Sequence, residues 1–385
     1  MTAGIHLAWL QLTEQKGHFA AALAGVAFAV TLMLGQIGLR DSLLTTATRV
    51  YSHLNADVVM TSWQYQFQQG TGVIPEERMA QALAVSGVAS CAPLHIGWAA
   101  LKNPVDHQEH QIVLLGFDPA QDVFRFDGQA VKFNALTESG TLLFDQLSRA
   151  MFGPIANQVR ARGAVKVLAS RREAEVVGLF RLGPGFGTDG HLISSDSTYR
   201  TLTAGTSSPL PALGLIRVHP GVPVDQVVSS LTAALPSDVR FVPMPEFLEQ
   251  EKRYWLQTSP IGFVFTAGLL MGLVVGSVVV YQILYTDVAN HRAEYATMKA
   301  MGYRDVQLSF LVLRQAALMS VLGFIPGALM ADAIYIVTRN ATLLPLEMNV
   351  VRSAQVYLLT LLMCAASGAF AMLALRKADP AEIFQ

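Results

Sequence analysis

The chain has 385 residues, 52% of them hydrophobic and 14% charged, with a formal net charge of −1. Soluble domains carry about 25% charged residues, so a chain this poor in charge reads as an integral membrane protein. The balance of charge leaves no basic excess to suggest a nucleic-acid partner.

In chain order, residues 1–17 open with Ile5, Ala8, Trp9 and Leu12 on one helical face. This pattern predicts a cytoplasmic interfacial helix lying on the inner leaflet. Four apolar stretches follow, each long enough for a bilayer core that needs about 20 residues. They predict transmembrane helices over 18–39, 260–286, 306–337 and 353–375. The first reads as a retained helix, because Gly38-Leu39-Arg40-Asp41 gives no small-x-small cleavage site. Its apolar stripe continues through Leu43/Leu44, Ala47, Val50/Tyr51 and Leu54. Phe247/Leu248, Glu251 and Tyr254/Trp255 repeat the spacing ahead of the second span. Two helical extensions would form a stalk beneath a large domain within 40–259.

That domain reads as mixed α/β. Strands are predicted over 57–63, 88–101, 111–117, 164–168, 175–180, 214–219 and 240–243, and helices over 75–85 and 224–235. A helical piece is expected over 141–152. The pattern suggests one α/β subdomain built from both ends, with a strand-rich subdomain inserted at about 120–210. The fold class is therefore an α-helical membrane protein with four transmembrane helices and a large periplasmic α/β domain between helices 1 and 2, on a helical stalk.

Lys/Arg bias in the short loops sets orientation. Arg292, Lys299 and Arg304 in loop 287–305, with Arg376 and Lys377 in the tail 376–385, favour the cytoplasm. Domain 40–259 and the short loop 338–352 then face the periplasm.

Catalytic sets are missing. Gly183-Pro-Gly-Phe-Gly-Thr-Asp-Gly190 lacks the Lys-Ser/Thr of a phosphate loop, and no Walker A sequence occurs. The histidines are scattered, His107-Gln-Glu-His110 reads as polar loop composition, and neither Gly-x-Ser-x-Gly nor His-Glu-x-x-His is present. Cys91 and Cys364 fit no metal spacing and read as small apolar fillers. No catalytic residue, metal site or cofactor is expected in this chain.

Helix packing offers a clearer signal. Gly268, Gly272 and Gly276 form a double small-xxx-small run, and Gly323 and Gly327 form another. Such faces let helix backbones approach closely. Pro326 should kink the third span, and Arg314 and Asp332 lie near its opposite ends, within reach of the interfaces.

Loop 287–305 is the sharpest motif. It holds His291, Arg292, Glu294, Tyr295, Met298, Lys299, Met301, Gly302 and Tyr303. Tyr295, Met298 and Met301 repeat every three residues, so a short amphipathic helix could seat them in a partner's groove, with Gly302 closing it. This loop resembles the coupling segment of the MacB/FtsX superfamily of ABC permeases. The chain more narrowly resembles DevC-type permeases. Matching segments are Leu7-Ala-Trp-Leu-Gln-Leu12, Gly25-Val-Ala-Phe-Ala-Val30, Gly38-Leu-Arg-Asp-Ser-Leu43, Asn55-Ala-Asp-Val-Val59, Gly116-Phe-Asp-Pro119, Gly187-Thr-Asp-Gly190 and Arg376-Lys-Ala-Asp-Pro-Ala-Glu-Ile-Phe384. The resemblance implies a homodimer in the bacterial inner membrane. It also implies a separate ABC ATPase subunit, a periplasmic adaptor protein and an outer-membrane duct. ATPase motion would pass through the coupling segment and stalk to expel amphiphilic or lipid-like cargo. Two other outputs fit the same resemblance: an FtsX-like signal transmitter that activates a cell-wall hydrolase, and a lipoprotein-releasing permease.

The topology is directly testable. A reporter fused after Arg304 or Gln385 should read cytoplasmic, and one at Gly128 periplasmic. A cytoplasmic readout at Gly128 would overturn the arrangement.

Overall fold

The computed structural model describes residues 16–67, 72–205, 207–291, 297–298, 300–302 and 305–377. In chain order the elements begin with α1 (Lys16–Ser52), β1 (Val58–Ser62), α2 (Glu76–Leu83), β2 (Val88–Lys102) and β3 (Glu109–Phe117). They continue with β4 (Thr141–Asp145), α3 (Ile155–Arg162), β5 (Val165–Ala169), β6 (Arg172–Phe180), β7 (His191–Ser195) and α4 (Asp196–Leu202). The chain closes with β8 (Leu213–Val218), α5 (Val224–Ala234), β9 (Val239–Pro243), α6 (Met244–Arg253), α7 (Pro260–Asn290), α8 (Asp305–Thr342) and α9 (Val350–Lys377). They form two compact units: residues 1–41, 260–341 and 346–385, and residues 42–259 with 342–345. The expected interfacial helix over 1–17 and the end of the tail, 378–385, lie outside the described residues apart from 16–17.

The first unit is helical. Four of its helices are long and apolar enough to span a bilayer, within 19–52, 260–290, 309–342 and 350–373. Each runs past its apolar core, because a helix satisfies its own backbone and need not stop where hydrophobicity does. Half of the most apolar stretch of α1 is buried, against 22% for α7. On α1 the residues Ala22, Val26, Ala29, Val30, Met33 and Leu34 are fully buried. Their i, i+3/i+4, i+7 spacing is a single stripe turned towards the other helices.

The second unit is a mixed α/β domain organised by one long strand. β1 runs antiparallel to both β8 and β9. The first half of β2 pairs with β8, from Val88 to Leu94. Its second half pairs with β3, from His95 to Lys102. β2 thus belongs to two layers. Beyond it the pairings run β3–β7–β4–β6–β5 and return to β2, so these six strands close into a ring. The closing contact is a single pair, Leu101 with Ala169. Pairs β3–β7 and β4–β6 are parallel. The ring therefore takes in β3 and half of β2 as well as strands within the expected insert.

Helices α2 and α5 cover the other layer. Each starts after a proline, Pro75 and Pro223, with acidic residues in the first turn. Negative charge there complements the helix dipole. Met79 and Ala82 of α2 pack with Val227 and Leu231 of α5 over Val58, Met60 and Ile216.

The expected helix over 141–152 is corrected. Residues Thr141–Asp145 form strand β4, followed by a 3-10 turn at Ala150–Phe152. β4 lies between β7 and β6 and all five of its residues are buried. A strand covered on both faces shows a continuous apolar run, so periodicity cannot separate it from a helix. The true helix, α3, begins after Pro154.

Leu192 lies at the centre of the ring's core and is fully buried with Leu114, Leu142 and Val176. Leu192→Ala should destabilise the domain by about 2–5 kcal/mol through the lost transfer energy and the cavity left behind. A thermal-unfolding midpoint equal to wild type would show that the site repacks.

Candidate coupling site

The glycine runs meet α1. An added Cβ at Gly327 would lie 2.6 Å from the Ala27 carbonyl oxygen and 2.8 Å from Val30. One at Gly323 would lie 2.5 Å from Val26, and one at Gly276 2.7 Å from Ala29 and 2.5 Å from Met363 of α9. Gly268 faces Gln36, and Gly272 has looser surroundings, with Leu32 and Met33 each 3.4 Å away. The three α7 glycines and the two α8 glycines thus converge on the same helix. Gly25 of α1 reciprocates by lying against Val279. Close approach also brings polar groups together. Thr31 donates to the Gly327 carbonyl at 3.0 Å, and Ser367 of α9 donates to the Ser277 carbonyl of α7 at 2.9 Å. Interhelical bonds of this kind are worth about 0.6–2 kcal/mol in a membrane.

A polar lock joins three helices at one end of this unit. Arg352 at the start of α9 donates to Asp41 of α1 at 3.0 Å and to the Glu347 carbonyl at 2.9 Å. Its guanidinium lies over the ring of Tyr335, whose hydroxyl donates to the Leu34 carbonyl. A side chain at Gly38 would collide with that tyrosine. The Arg352 side chain is 11% exposed and that of Asp41 35%, so water reaches the pair from the Asp41 side. An ion pair between planar guanidinium and carboxylate fixes direction as well as proximity.

At the opposite end α7 passes into loop 287–305. His291 closes α7: its backbone amide bonds the Asp287 carbonyl at 3.2 Å, and its ring Nδ1 lies 2.8 Å from the same oxygen. Gln315 of α8 donates to the Asp287 carboxylate at 3.1 Å. Met298 is half-buried against Val288, Leu311, Val312 and Met372. Met301 is 66% exposed. The Met301 amide bonds the Thr297 carbonyl at 3.0 Å, and Gly302 takes φ +97°, a left-handed turn of the kind that ends a helix. Arg292, Glu294, Tyr295, Lys299 and Tyr303 lie outside the described residues. Of the three anchors expected on one face, Met298 thus packs on the chain's own helices and Met301 faces outward.

In the second unit a third constellation ties the end of α1 to α6. Tyr65 donates to the Glu251 carboxylate, and the hydroxyls of Tyr51 and Tyr65 are 2.8 Å apart. Glu251 is 1% exposed and Tyr51 fully buried. Phe247 of α6 packs edge-on to Tyr51 at 5.0 Å and against Tyr65 at 5.5 Å. Burial, with Tyr51 and Glu251 beside it, pushes the Tyr65 phenol well above its usual pKa. It stays neutral and able to donate. Below it, residues Tyr254–Thr258 form a π-helical turn before α7. Sequence reasoning placed Glu251 on an apolar stripe without assigning it a role. The signal was a carboxylate at a position that periodicity marks as buried.

Residues 266–380 match the family model described as FtsX-like permease C-terminal. These residues thus carry an FtsX-like permease C-terminal domain. The matched region holds α8, the described part of loop 287–305, nearly all of α7 and all of α9. The chain is a multi-pass protein of the inner membrane, with a periplasmic domain between its first and second spans. Among curated proteins no sequence match is found. Part of the chain is similar to three solved structures. The extracellular domain of the noncanonic ABC-type transporter YknZ from Gram-positive bacteria is 11% identical with a TM-score of 0.34, over 48% of this chain and 98% of that one. The periplasmic region of MacB from Actinobacillus actinomycetemcomitans is 12% identical at 0.35, over 51% and 92%. A domain of a putative permease protein from Porphyromonas gingivalis is 16% identical at 0.32, over 49% and 90%.

The glycine set against a backbone oxygen, Gly327, and the one of loosest fit, Gly272, separate packing from composition in this FtsX-like bundle. Gly327→Ala should destabilise the protein by about 1–3 kcal/mol, because its Cβ meets a backbone oxygen that cannot turn aside. Gly272→Ala should be close to neutral. Equal melting temperatures for the two variants in detergent would remove the packing role.

Proposed function

We propose that the chain is the membrane-spanning permease subunit of an ABC exporter, driven by a separate ATPase. The observation that carries this reading is the FtsX-like permease match over 266–380, which includes the segment between α7 and α8. ATP-driven movement enters at that segment, in the cytoplasm. The Asp287–Gln315 bond and Met298 tie the segment to α8 and α9. The glycine contacts then tie α7 and α8 to α1. α1 is one unbroken helix, Lys16–Ser52, so it carries displacement along its own axis towards Tyr51. In this reading the chain works as a homodimer with a periplasmic adaptor and an outer-membrane duct, and expels amphiphilic or lipid-like cargo from the periplasm.

Met301 is the anchor for the ATPase, being apolar and exposed beside Gly302. Met301→Asp would place a carboxylate in the partner's groove. An unpaired buried charge costs about 3–5 kcal/mol, against about 8 kcal/mol for a micromolar contact. The variant should insert and melt as wild type, lose the co-purifying ATPase and stop transport. Met301→Leu should keep both. Retention of the ATPase and of export by Met301→Asp would sink this coupling route.

A further inference from the structure

The seam where the six-stranded ring closes is built unlike its other pairings. β5 and β6 are joined by Ser170 and Arg171, both left-handed at φ 48° and 62°. This is a two-residue hairpin turn, and in such hairpins the flanking residues exchange hydrogen bonds. Those residues are Ala169 and Arg172. Bonding then alternates along an antiparallel pair. Val167 and Val165 bond to Ala174 and Val176, while the backbone N–H and C=O of Lys166 turn away from β6.

They turn towards β2, which does not reach them. β2 meets β5 at Leu101–Ala169, beside a Ser170 amide to Ala100 carbonyl bond of 2.7 Å. It then ends at Lys102. Asn103 bends into the next turn, where its amide bonds the Gln108 carbonyl at 2.9 Å and its carbonyl accepts from His107 at 3.1 Å. Among the described residues the Lys166 backbone has no partner on that side. The gap is a groove of about 300 Å³, lined by Lys102, Pro104, His107, Lys166, Leu168 and Glu173 among others. That is the lower end of the size range of ligand pockets, about 300–1,000 Å³.

We propose that this groove binds an extended acidic segment of a partner protein, which adds as a strand to β5. Strand addition uses main-chain bonds for affinity and alternate side chains for specificity. The free Lys166 amide and carbonyl supply the main-chain pair. Lys102 and Lys166 supply the charge preference. Neither lysine forms an ion pair among the described residues, although Glu109 and Glu175 are their cross-strand neighbours and Glu173 lies in the groove. A lysine in the middle of an open strand edge also disfavours pairing with a copy of itself. The occupant is therefore a different, acidic chain. This proposal does not depend on which partner drives the membrane helices.

The test uses the full-length protein in lipid nanodiscs and a fluorescein-labelled peptide of sequence Thr-Glu-Val-Glu-Val-Thr, followed by anisotropy. Binding should saturate, and Thr-Lys-Val-Lys-Val-Thr should bind about tenfold more weakly. Lys166→Pro removes the outward amide without touching a β5–β6 bond, a place where a strand edge tolerates proline. It should weaken binding by about tenfold or more, whereas Lys166→Ala should cost only a few-fold. The acidic peptide N-methylated at alternate amides, in both registers, probes the same bonds on the wild-type protein. It covers the case in which Lys166→Pro disturbs the fold. Absence of saturable binding overturns the proposal. So does equal binding of the N-methylated peptides, or wild-type affinity in a normally folded Lys166→Pro variant.

Discussion

The close approach of backbones around α1 is the constraint on which the membrane unit depends. Lipid supplies no hydrophobic drive between helices, so their association rests on packing and a few polar bonds. Gly323 and Gly327 of α8 and Gly276 of α7 remove the side chains that would hold the helices apart from α1. Contact at that distance makes the Thr31–Gly327 bond possible. It also explains why α1 is the most enclosed of the four spans although α7 has the higher hydropathy.

An enclosed helix has a mechanical consequence. Elements held only by lipid can slide independently, whereas a helix gripped by two neighbours moves with them. The polar groups reinforce the grip at both ends of the unit, Asp41 with Arg352 at one and Asp287 with Gln315 at the other. Gln315 is fully buried, so removing Asp287 would leave its amide without that bond, whereas Asp41 keeps partial access to water. Within the periplasmic unit the same logic applies to Glu251, 1% exposed and held by Tyr65, whose ring packs on Phe247. There β2 serves as a shared member of two layers, so displacement of one layer is felt in the other.

Much of this was legible in the chain itself. Four apolar stretches, the α/β character of the intervening domain, and the prolines that open α2 and α5 all follow from local composition and period. The small-xxx-small runs announced close packing without naming the partner. β4 was misread as helix because its Leu142-Leu143-Phe144 run is covered on both faces. Tyr65 gave no warning at all, since nothing near it in sequence foreshadows Glu251, 186 residues away.

By itself, then, the sequence determined the number of apolar spans, the class of the intervening domain and the family to which residues 266–380 belong. These depend on hydrophobicity and local period, which any segment carries without knowledge of the rest. Only the tertiary structure decided that the glycines of α7 and α8 meet α1, that six strands close into a ring, and that Lys166 turns its backbone into an open seam. Such facts depend on which distant segments meet. A residue's burial and bonding partners are set by that meeting, not by its neighbours along the chain.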